Sequence, residues 1–207
     1  MTWSELTVLV SALLLLVAWF AWVAASRLDR LHRKVATSWT SLDDQLVRRA
    51  SSAAELASGG LLDPVSSVLV GEAAWVALSS RGTGREAGPT GPTATVLPSG
   101  TASTEGTARD VAESELSRTI RVALSDPADV EALRAVPAGD ELVEALAAAW
   151  YRVQLSRRFH NEAVAQTQRM RRKWAVRLLR LYGHAPIPQT VEIDDAWPEA
   201  LGTAGGR

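Results

Sequence analysis

The chain has 207 residues, of which 47% are hydrophobic, and a formal net charge of −1. It is therefore long enough for one domain with a buried core, and its overall charge does not favour binding to polyanions. The absence of cysteine excludes disulfide frameworks, thiolate nucleophiles and cysteine-ligated metal sites. All but two of the 22 basic residues are arginine, which indicates the coding bias of a GC-rich bacterial genome.

The first predicted element is a membrane-spanning helix. Leu6–Ser26 contains no charged residue, and these 21 residues would extend about 30 Å as a helix, the thickness of a bilayer hydrocarbon core. Trp3 lies before this run, and Trp19 and Trp22 lie towards its other end, as indole rings favour the headgroup level. We therefore expect residues 6–26 to anchor the chain in a bilayer.

Two alternatives to an anchor fit the sequence less well. A cleaved secretory signal usually has a basic N-terminus and a shorter apolar run, whereas residues 1–5 contain Glu5 and no basic residue. A buried helix of a soluble core that is apolar on every side needs a larger protein around it. The membrane helix is the favoured interpretation.

Charge on the two sides of the apolar run predicts its orientation. Arg27, Arg30, Arg33 and Lys34 follow the run, accompanied only by Asp29. Because the positive side of a membrane helix stays in the cytoplasm, we expect a single-pass protein of the plasma (inner) membrane. Residues 1–5 would then lie outside and the rest of the chain in the cytoplasm.

The anchor is predicted to continue as one helix into the following domain, because no glycine or proline precedes Gly59. Gly59-Gly60 would end it. An apolar stripe at spacings of three, four and seven requires helical partners. The stripe consists of Leu28, Leu31, Val35, Leu42, Leu46, Ala53 and Leu56.

The middle of the chain predicts two more helices around a linker. Asp63-Pro64 is a typical N-cap and N1 pair and would open a helix over Leu62–Ser79. Residues 81–106 are rich in Gly, Thr, Ser and Pro and are predicted to be a mobile linker. A third helix is predicted from about Ala108 to Leu124.

The last third of the chain predicts a short helix, a long helix and a tail. Asp126-Pro127 would start the short helix, and Asp140 would cap the long one, Glu141–Tyr182. Residues 183–207 would be extended. The apolar face of the long helix is Leu142, Leu146, Ala149, Val153, Phe159, Ala163, Met170 and Trp174.

These elements predict an all-α fold, in which an N-terminal transmembrane helix continues into an antiparallel three- to four-helix bundle. The bundle would comprise residues 27–182, and its stripes would pack as in a coiled coil.

Candidate catalytic or metal-binding patterns are weak. His32, His160 and His184 are far apart and match no ligand spacing, so solvent-exposed or capping roles are expected. Gly82, Gly84 and Gly88 follow no strand and precede no Lys-Ser/Thr, so they do not form a phosphate-binding loop.

Asp43 and Asp44 are the one pair of adjacent acids in the first helix. Neighbouring helix positions point about 100° apart, so these two cannot share a proton, and Asp44 is expected to pair with Arg48. The sequence predicts no enzyme and no cofactor.

A basic segment stands out near the C-terminus. It contains Arg169, Arg171, Arg172, Lys173, Arg177 and Arg180, with Trp174 between them and no acid. One interpretation is a solvated helix face, and nucleic-acid binding is disfavoured on a neutral chain. Contact with anionic lipid or a protein partner is the third. If the helices alternate in direction, this segment lies level with residues 27–34 beside the bilayer.

Residues 31–49, LHRKVATSWTSLDDQLVRR, resemble the signature of the LemA family, in which a motif with Trp, Asp, Gln and paired Arg follows a membrane helix. Residues 157–164, RRFHNEAV, resemble a later element of that family. The matched positions are Trp39, Asp43, Gln45, Arg48, Arg49, Phe159 and Asn161.

The resemblance implies a cytoplasmic helical bundle without a defined catalytic activity, in a divergent, actinobacterial-type member. The matched residues would be structural, with Asn161 bonding Asp43 or Gln45 across the long helices. Residues 51–56 and the region after Val164 depart from the family pattern, so a partner surface shared with typical members is not implied.

Together these features predict a membrane-tethered scaffold or interaction protein, acting through an unidentified protein partner, a second copy of itself or the inner leaflet. The alternative is a regulatory or sensory subunit of a membrane-associated enzyme complex.

Overall fold

The computed structural model describes residues 3–81, 99–183 and 185–202, and all regular structure in these ranges is helical. The predicted all-α class is confirmed to that extent. The helices are α1 (Trp3–Ser58), α2 (Pro64–Ser79), α3 (Ser99–Ala123), α4 (Pro127–Arg134), α5 (Pro137–Arg171) and α6 (Trp174–Leu178), followed by a 3₁₀ turn at Glu199–Leu201.

Helix α1 has an exposed apolar part and a packed part. Its most apolar 18-residue stretch has a mean hydropathy of 2.5 and no buried residue. By length and composition this one helix of the described chain could cross a membrane, a property that an N-terminal signal sequence would share. No other described part of the chain buries this 18-residue stretch, so its apolar side chains are exposed.

The packed part of α1 lies along α5. Leu28 is buried with Met170, and Leu42 and Leu46 are buried with Val153. The predicted α1 stripe is confirmed, since its members are buried or half-buried. The main core lies further along, where α1, α2, α3, α4 and α5 meet around the fully buried Trp150.

Helix α2 begins as predicted. The Asp63 carboxylate accepts hydrogen bonds from the backbone N–H groups of Val65 (3.0 Å) and Ser66 (3.1 Å), and Pro64 occupies the first helical position. Hydrogen bonds from Ser66 lower the pKa of Asp63. These bonds satisfy backbone donors that the first helical turn leaves free.

Helix α3 begins at Ser99 and not near Ala108, so the linker prediction is wrong for residues 99–106. Residues 82–98 lie outside the described ranges. Residues 99–107 have a low helix propensity because they are rich in Gly, Ser and Thr. They are nevertheless helical, as the first turns of α3.

Helix α5 also begins early, at Pro137, so Asp140 lies in its first turn and does not cap it. Asp140 instead forms an ion pair with Arg134 at 3.0 Å. Gly139 is required here because a Cβ atom would collide with the backbone carbonyl of Leu133. This close approach sets the sharp turn between α4 and α5.

The predicted continuous helix to Tyr182 is wrong. Helix α5 ends at Arg171, and Lys173 adopts an extended backbone conformation (φ −62°, ψ 133°) before the short α6. The break turns Val176 onto α1, where it is 1% exposed among Ala24 and Leu28. Burial of this apolar side chain favours the turn over straight continuation.

The tail has no helix or strand over residues 185–198, as predicted for an extended segment. It is nevertheless packed, because Val191, Ile193 and Leu201 are 1%, 7% and 7% exposed. The tail therefore contributes to the core.

Candidate functional site

The most deeply buried charges in the described chain join α1 to α3. Arg49 is 0% exposed and Glu113 is 2% exposed, and the guanidinium donates to the carboxylate over 2.8 Å. Arg49 also donates to the Ser117 hydroxyl (2.9 Å) and to the Glu113 carbonyl (3.1 Å). Because an unpaired buried charge is costly, these bonds fix α3 at one place on α1.

Trp150 extends this network to α5 and the tail. The Arg49 guanidinium lies 5.0 Å from the centre of the Trp150 ring, within cation–π range. The indole N–H donates to the Asp195 carbonyl over 3.0 Å. One tryptophan of α5 thus contacts both α1 and the tail.

A second cluster lies nearer the apolar end of α1. Arg109, on α3, is 3% exposed and forms an ion pair with Asp43, and its guanidinium lies 5.6 Å from the Trp39 ring. Arg81, after α2, lies 3.3 Å from the other oxygen of Asp43. The Asp43 carboxylate therefore connects α1 to α3 and to the turn that follows α2.

Asp44 does not form the predicted pair with Arg48. Its carboxylate lies 3.6 Å from Arg81 instead, and Arg48 is exposed. The Asp44 and Arg81 side chains are both more than half exposed, so this ion pair contributes little stability.

His160 is buried, and the prediction of a solvated or capping side chain is wrong for it. It is 2% exposed, its Nδ1 lies 3.1 Å from the Ser38 hydroxyl, and its ring centre lies 5.6 Å from that of Trp39. His32 is half-buried, and burial is the main cause of its lowered pKa, with Arg171 adding to it. His184 lies outside the described residues.

A ladder of α5 side chains holds the tail. Their positions, 150, 154, 157, 161, 168 and 171, repeat at spacings of three, four and seven and so share one helix face. As residue numbers rise along α5, those of their partners fall from 195 to 185. The tail therefore runs antiparallel to α5.

Asp195 accepts four hydrogen bonds from side chains of α5. Its carboxylate accepts two hydrogen bonds from Arg157, over 2.7 and 2.8 Å, and Gln154 donates to its carbonyl over 2.7 Å. Such paired bonds from arginine fix both distance and orientation. Further along the face, Gln168 and Arg171 donate to tail carbonyls.

Asn161 binds the tail and not Asp43 or Gln45, so that prediction is wrong. Its side-chain amide donates to the Val191 carbonyl (3.1 Å), and its oxygen accepts from the Val191 N–H (2.9 Å). A primary amide can satisfy both groups of one extended residue in this way. The predicted extended tail packs along α5, and its backbone groups at Val191 supply the partners that Asn161 binds.

A further tail contact is electrostatic. Arg121 of α3 donates to the Asp194 carboxylate over 3.0 Å, and this hydrogen bonding lowers the pKa of Asp194. The tail is therefore held from α3 as well as from α5.

The matched motif positions separate into two groups. Trp39, Asp43, Arg49 and Asn161 belong to the buried network or hold the tail. Gln45 is half-buried, whereas Arg48 and Phe159 are exposed. Phe159 is 63% exposed, so its prediction as a core residue is wrong, and His160 occupies the inward position beside it.

The predicted membrane-interface residues lie along the unpacked end of α1. Trp3, Trp19 and Trp22 are 88%, 66% and 65% exposed, and the last two rings lie 5.9 Å apart. Arg27 and Arg30 are exposed, and Arg33 pairs with Asp29 within the helix. The Lys34 ammonium reaches the Gln166 side chain of α5 at 3.4 Å.

The basic segment lies beside this end of α1. Arg169 pairs with Glu162 at 2.9 Å, and Arg171 stacks 4.7 Å from the Tyr182 ring centre. The remaining cations, Arg172, Lys173, Arg177 and Arg180, are exposed. Trp174 is 77% exposed, so its prediction as part of the packed face is wrong; the turn at Lys173 directs Val176 inward instead.

The chemistry of the network is that of ion pairing between helices. Within residues 3–81, 99–183 and 185–202, no group of three or more His, Cys, Asp or Glu side chains is placed to hold a metal ion. Sequence reasoning missed Arg109, Glu113 and Ser117, although their spacing of four marks one face of α3.

Removing the Asp195 carboxylate should loosen the tail. In Asp195→Ala we expect amide hydrogen exchange over residues 185–197 to become about fivefold faster. This corresponds to about 1 kcal/mol, because Arg157 is partly exposed and its bonds are screened. Hydrogen exchange with mass spectrometry measures the change. Glu192→Ala, which removes an exposed tail carboxylate, should leave the rate unchanged; equal rates in both variants would contradict the prediction.

The chain was compared with protein-family models, with curated proteins and with solved structures, and none of the three comparisons finds a match.

Proposed function

We propose that the chain is a single-pass membrane protein with residues 6–26 in the bilayer, its N-terminus outside and its packed part in the cytoplasm. The support is the exposure of the most apolar 18-residue stretch of α1, none of which is buried within the protein. Four cations follow the segment within eight residues, which favours the cytoplasm for that side.

The cytoplasmic part would be an antiparallel helical bundle. Leu28 of α1 packs near Met170 of α5, whereas Gly59 at the other end lies close to Leu142. Contacts that run in opposite directions along two helices are those of an antiparallel pair.

Within this placement, the protein acts as a membrane-tethered scaffold or interaction protein of the LemA type. The buried network supports such a role, because its charges are paired between helices and hold the fold rigid. Trp39, Asp43, Arg49 and Asn161 carry the resemblance and lie in these structural contacts. A tethered domain gains effective concentration for a partner at the membrane without any chemistry.

The observation that carries the interaction role is the outer face of α2. Five large apolar side chains on this 16-residue helix are between 48% and 70% exposed. They are Val65, Val68, Leu69, Trp75 and Val76. A helix that is apolar on all sides is normally buried, so this face is suited to contact a protein partner.

Site-specific photo-crosslinking in intact cells tests this role. A photoreactive amino acid at Val68 should give a defined adduct, whereas one at Tyr151, exposed on α5, should not. Adding Trp75→Asp should reduce the adduct about thirtyfold, the effect expected for an interface tryptophan worth about 2 kcal/mol. Mass spectrometry of the adduct then identifies the crosslinked partner, either a second copy of this chain or a subunit of an enzyme complex. An adduct that is absent, or independent of Trp75, would contradict the proposal.

A further inference from the structure

Helix α6 lies level with the end of the apolar segment of α1. Val176 is 1% exposed and packs in a small cluster with Ala24, Leu28 and Met170. Ala24 belongs to the proposed membrane-spanning residues, and Leu28 follows them by two positions. The contact therefore brings α6 to the depth at which α1 would leave the bilayer.

The other side of α6 presents apolar side chains to the surroundings. Trp174 is 77% exposed and Leu178 is 71% exposed. These residues are four apart and so lie on the same side of the helix, while Val176 points the opposite way, onto α1. Nothing in the described part of the chain covers them.

Cations surround this apolar pair. Arg172, Lys173 and Arg177 are exposed, and no acidic residue occurs between Arg169 and Arg180. A tryptophan and a leucine flanked by basic side chains match the headgroup region of a membrane, where the rings enter the apolar boundary and the cations meet anionic lipid.

We propose that α6 and the residues around it, 172–180, form a second membrane contact that docks onto the anionic cytoplasmic leaflet. This contact, named here the basic foot, rests on the proposed function, because it requires α1 to cross the same bilayer. Trp174 and Leu178 insert at the headgroup boundary, and Arg172, Lys173 and Arg177 bind lipid phosphates.

The basic foot gives the domain two attachments to one leaflet. Helix α1 alone would leave the domain free to rotate about the helix axis, whereas a second contact selects one face towards the lipid. The turn at Lys173 is what directs α6 onto α1, and a straight continuation of α5 would not place these side chains there.

The absence of native cysteine allows a direct depth measurement on the full chain. Single substitutions Leu178→Cys, Leu13→Cys and Val122→Cys are spin-labelled in vesicles of phosphatidylcholine with phosphatidylglycerol. Accessibility to oxygen and to a water-soluble nickel complex reports the depth of each label. We expect the labels at positions 178 and 13 to lie in lipid and the label at 122, which is 68% exposed on α3, to lie in water.

Charge reversal supplies the matched comparison. Arg172→Glu, Lys173→Glu and Arg177→Glu together should abolish the lipid-phase signal at position 178, as should vesicles of phosphatidylcholine alone. Arg48→Glu, Arg152→Glu and Arg158→Glu change the net charge equally, at exposed positions elsewhere, and should leave the signal intact.

Two outcomes would contradict different parts of the proposal. If the label at 178 is as accessible to nickel as that at 122 while the label at 13 remains in lipid, the basic foot is wrong and the anchor stands. If the label at 13 is also in water, the membrane placement itself is wrong.

Discussion

Replacing Leu13 and Leu16 by arginine is expected to remove the protein from the membrane fraction. Each arginine near the middle of a bilayer helix costs about 2.5–3.5 kcal/mol, so the pair disfavours insertion by about 5–7 kcal/mol. That corresponds to roughly four to five orders of magnitude in the insertion equilibrium. Both leucines are more than half exposed, so the packed part of α1 is unaffected. Alkaline extraction of membranes followed by immunoblotting measures the loss.

The control for this variant keeps the same added charge outside the anchor. Val111→Arg with Val122→Arg places two arginines at exposed positions of α3 and should leave the protein in the membrane pellet. Orientation is tested separately with single cysteines in intact cells. A membrane-impermeant maleimide added outside should label the Ser4→Cys variant, whereas the Val122→Cys variant should react only after the cells are lysed. If the variant with arginine at positions 13 and 16 stays in the membrane pellet, the proposed anchor is wrong.

Truncating Glu113 to alanine is expected to destabilise the packed domain by about 3–5 kcal/mol. The change leaves the Arg49 guanidinium fully buried without its carboxylate partner, and an uncompensated buried charge is among the most costly defects in a core. Urea unfolding of the full chain in mild detergent, monitored by tryptophan fluorescence, measures the free energy of unfolding.

Two comparison variants separate burial from charge in this result. Glu115→Ala removes the same side chain two positions away, where it forms an exposed pair with Arg118, and should lower the free energy of unfolding far less than Glu113→Ala. Arg49→Met combined with Glu113→Leu removes both charges and should recover most of the lost stability. A Glu113→Ala effect no larger than that of Glu115→Ala would show that the buried pair is not important for stability.

Local rules in the sequence predicted much of the helical framework. The absence of glycine and proline before Gly59, together with a regular apolar stripe, predicted α1 and its end at Ser58. Asp63-Pro64 and Asp126-Pro127 predicted two helix starts, and in both the aspartate accepts the expected backbone hydrogen bond. Each of these signals depends on residues only a few positions apart.

Contacts between distant residues could not be predicted in the same way. The partner of Arg49 lies 64 positions away, and that of Asn161 lies 30 positions away in a tail that carries no helical pattern. The break at Lys173 depends on the packing of Val176 against α1. No local pattern predicts this break, because neither glycine nor proline occurs there. The prediction of Phe159 as a core residue was wrong because the neighbouring His160 faces α1, where it contacts Ser38 and Trp39.

The unbroken course of α1 has a mechanical consequence. As one 56-residue helix it is about 84 Å long, and about 48 Å of it follows Ser26. In the proposed placement no flexible joint separates the lipid-embedded part from the part that carries α2, so the helix acts as a lever. A change in tilt of about 20°, of the size that bilayer thickness imposes on long spans, would move Gly59 sideways by about 16 Å. Bilayer thickness would thereby set where the outer face of α2 is presented.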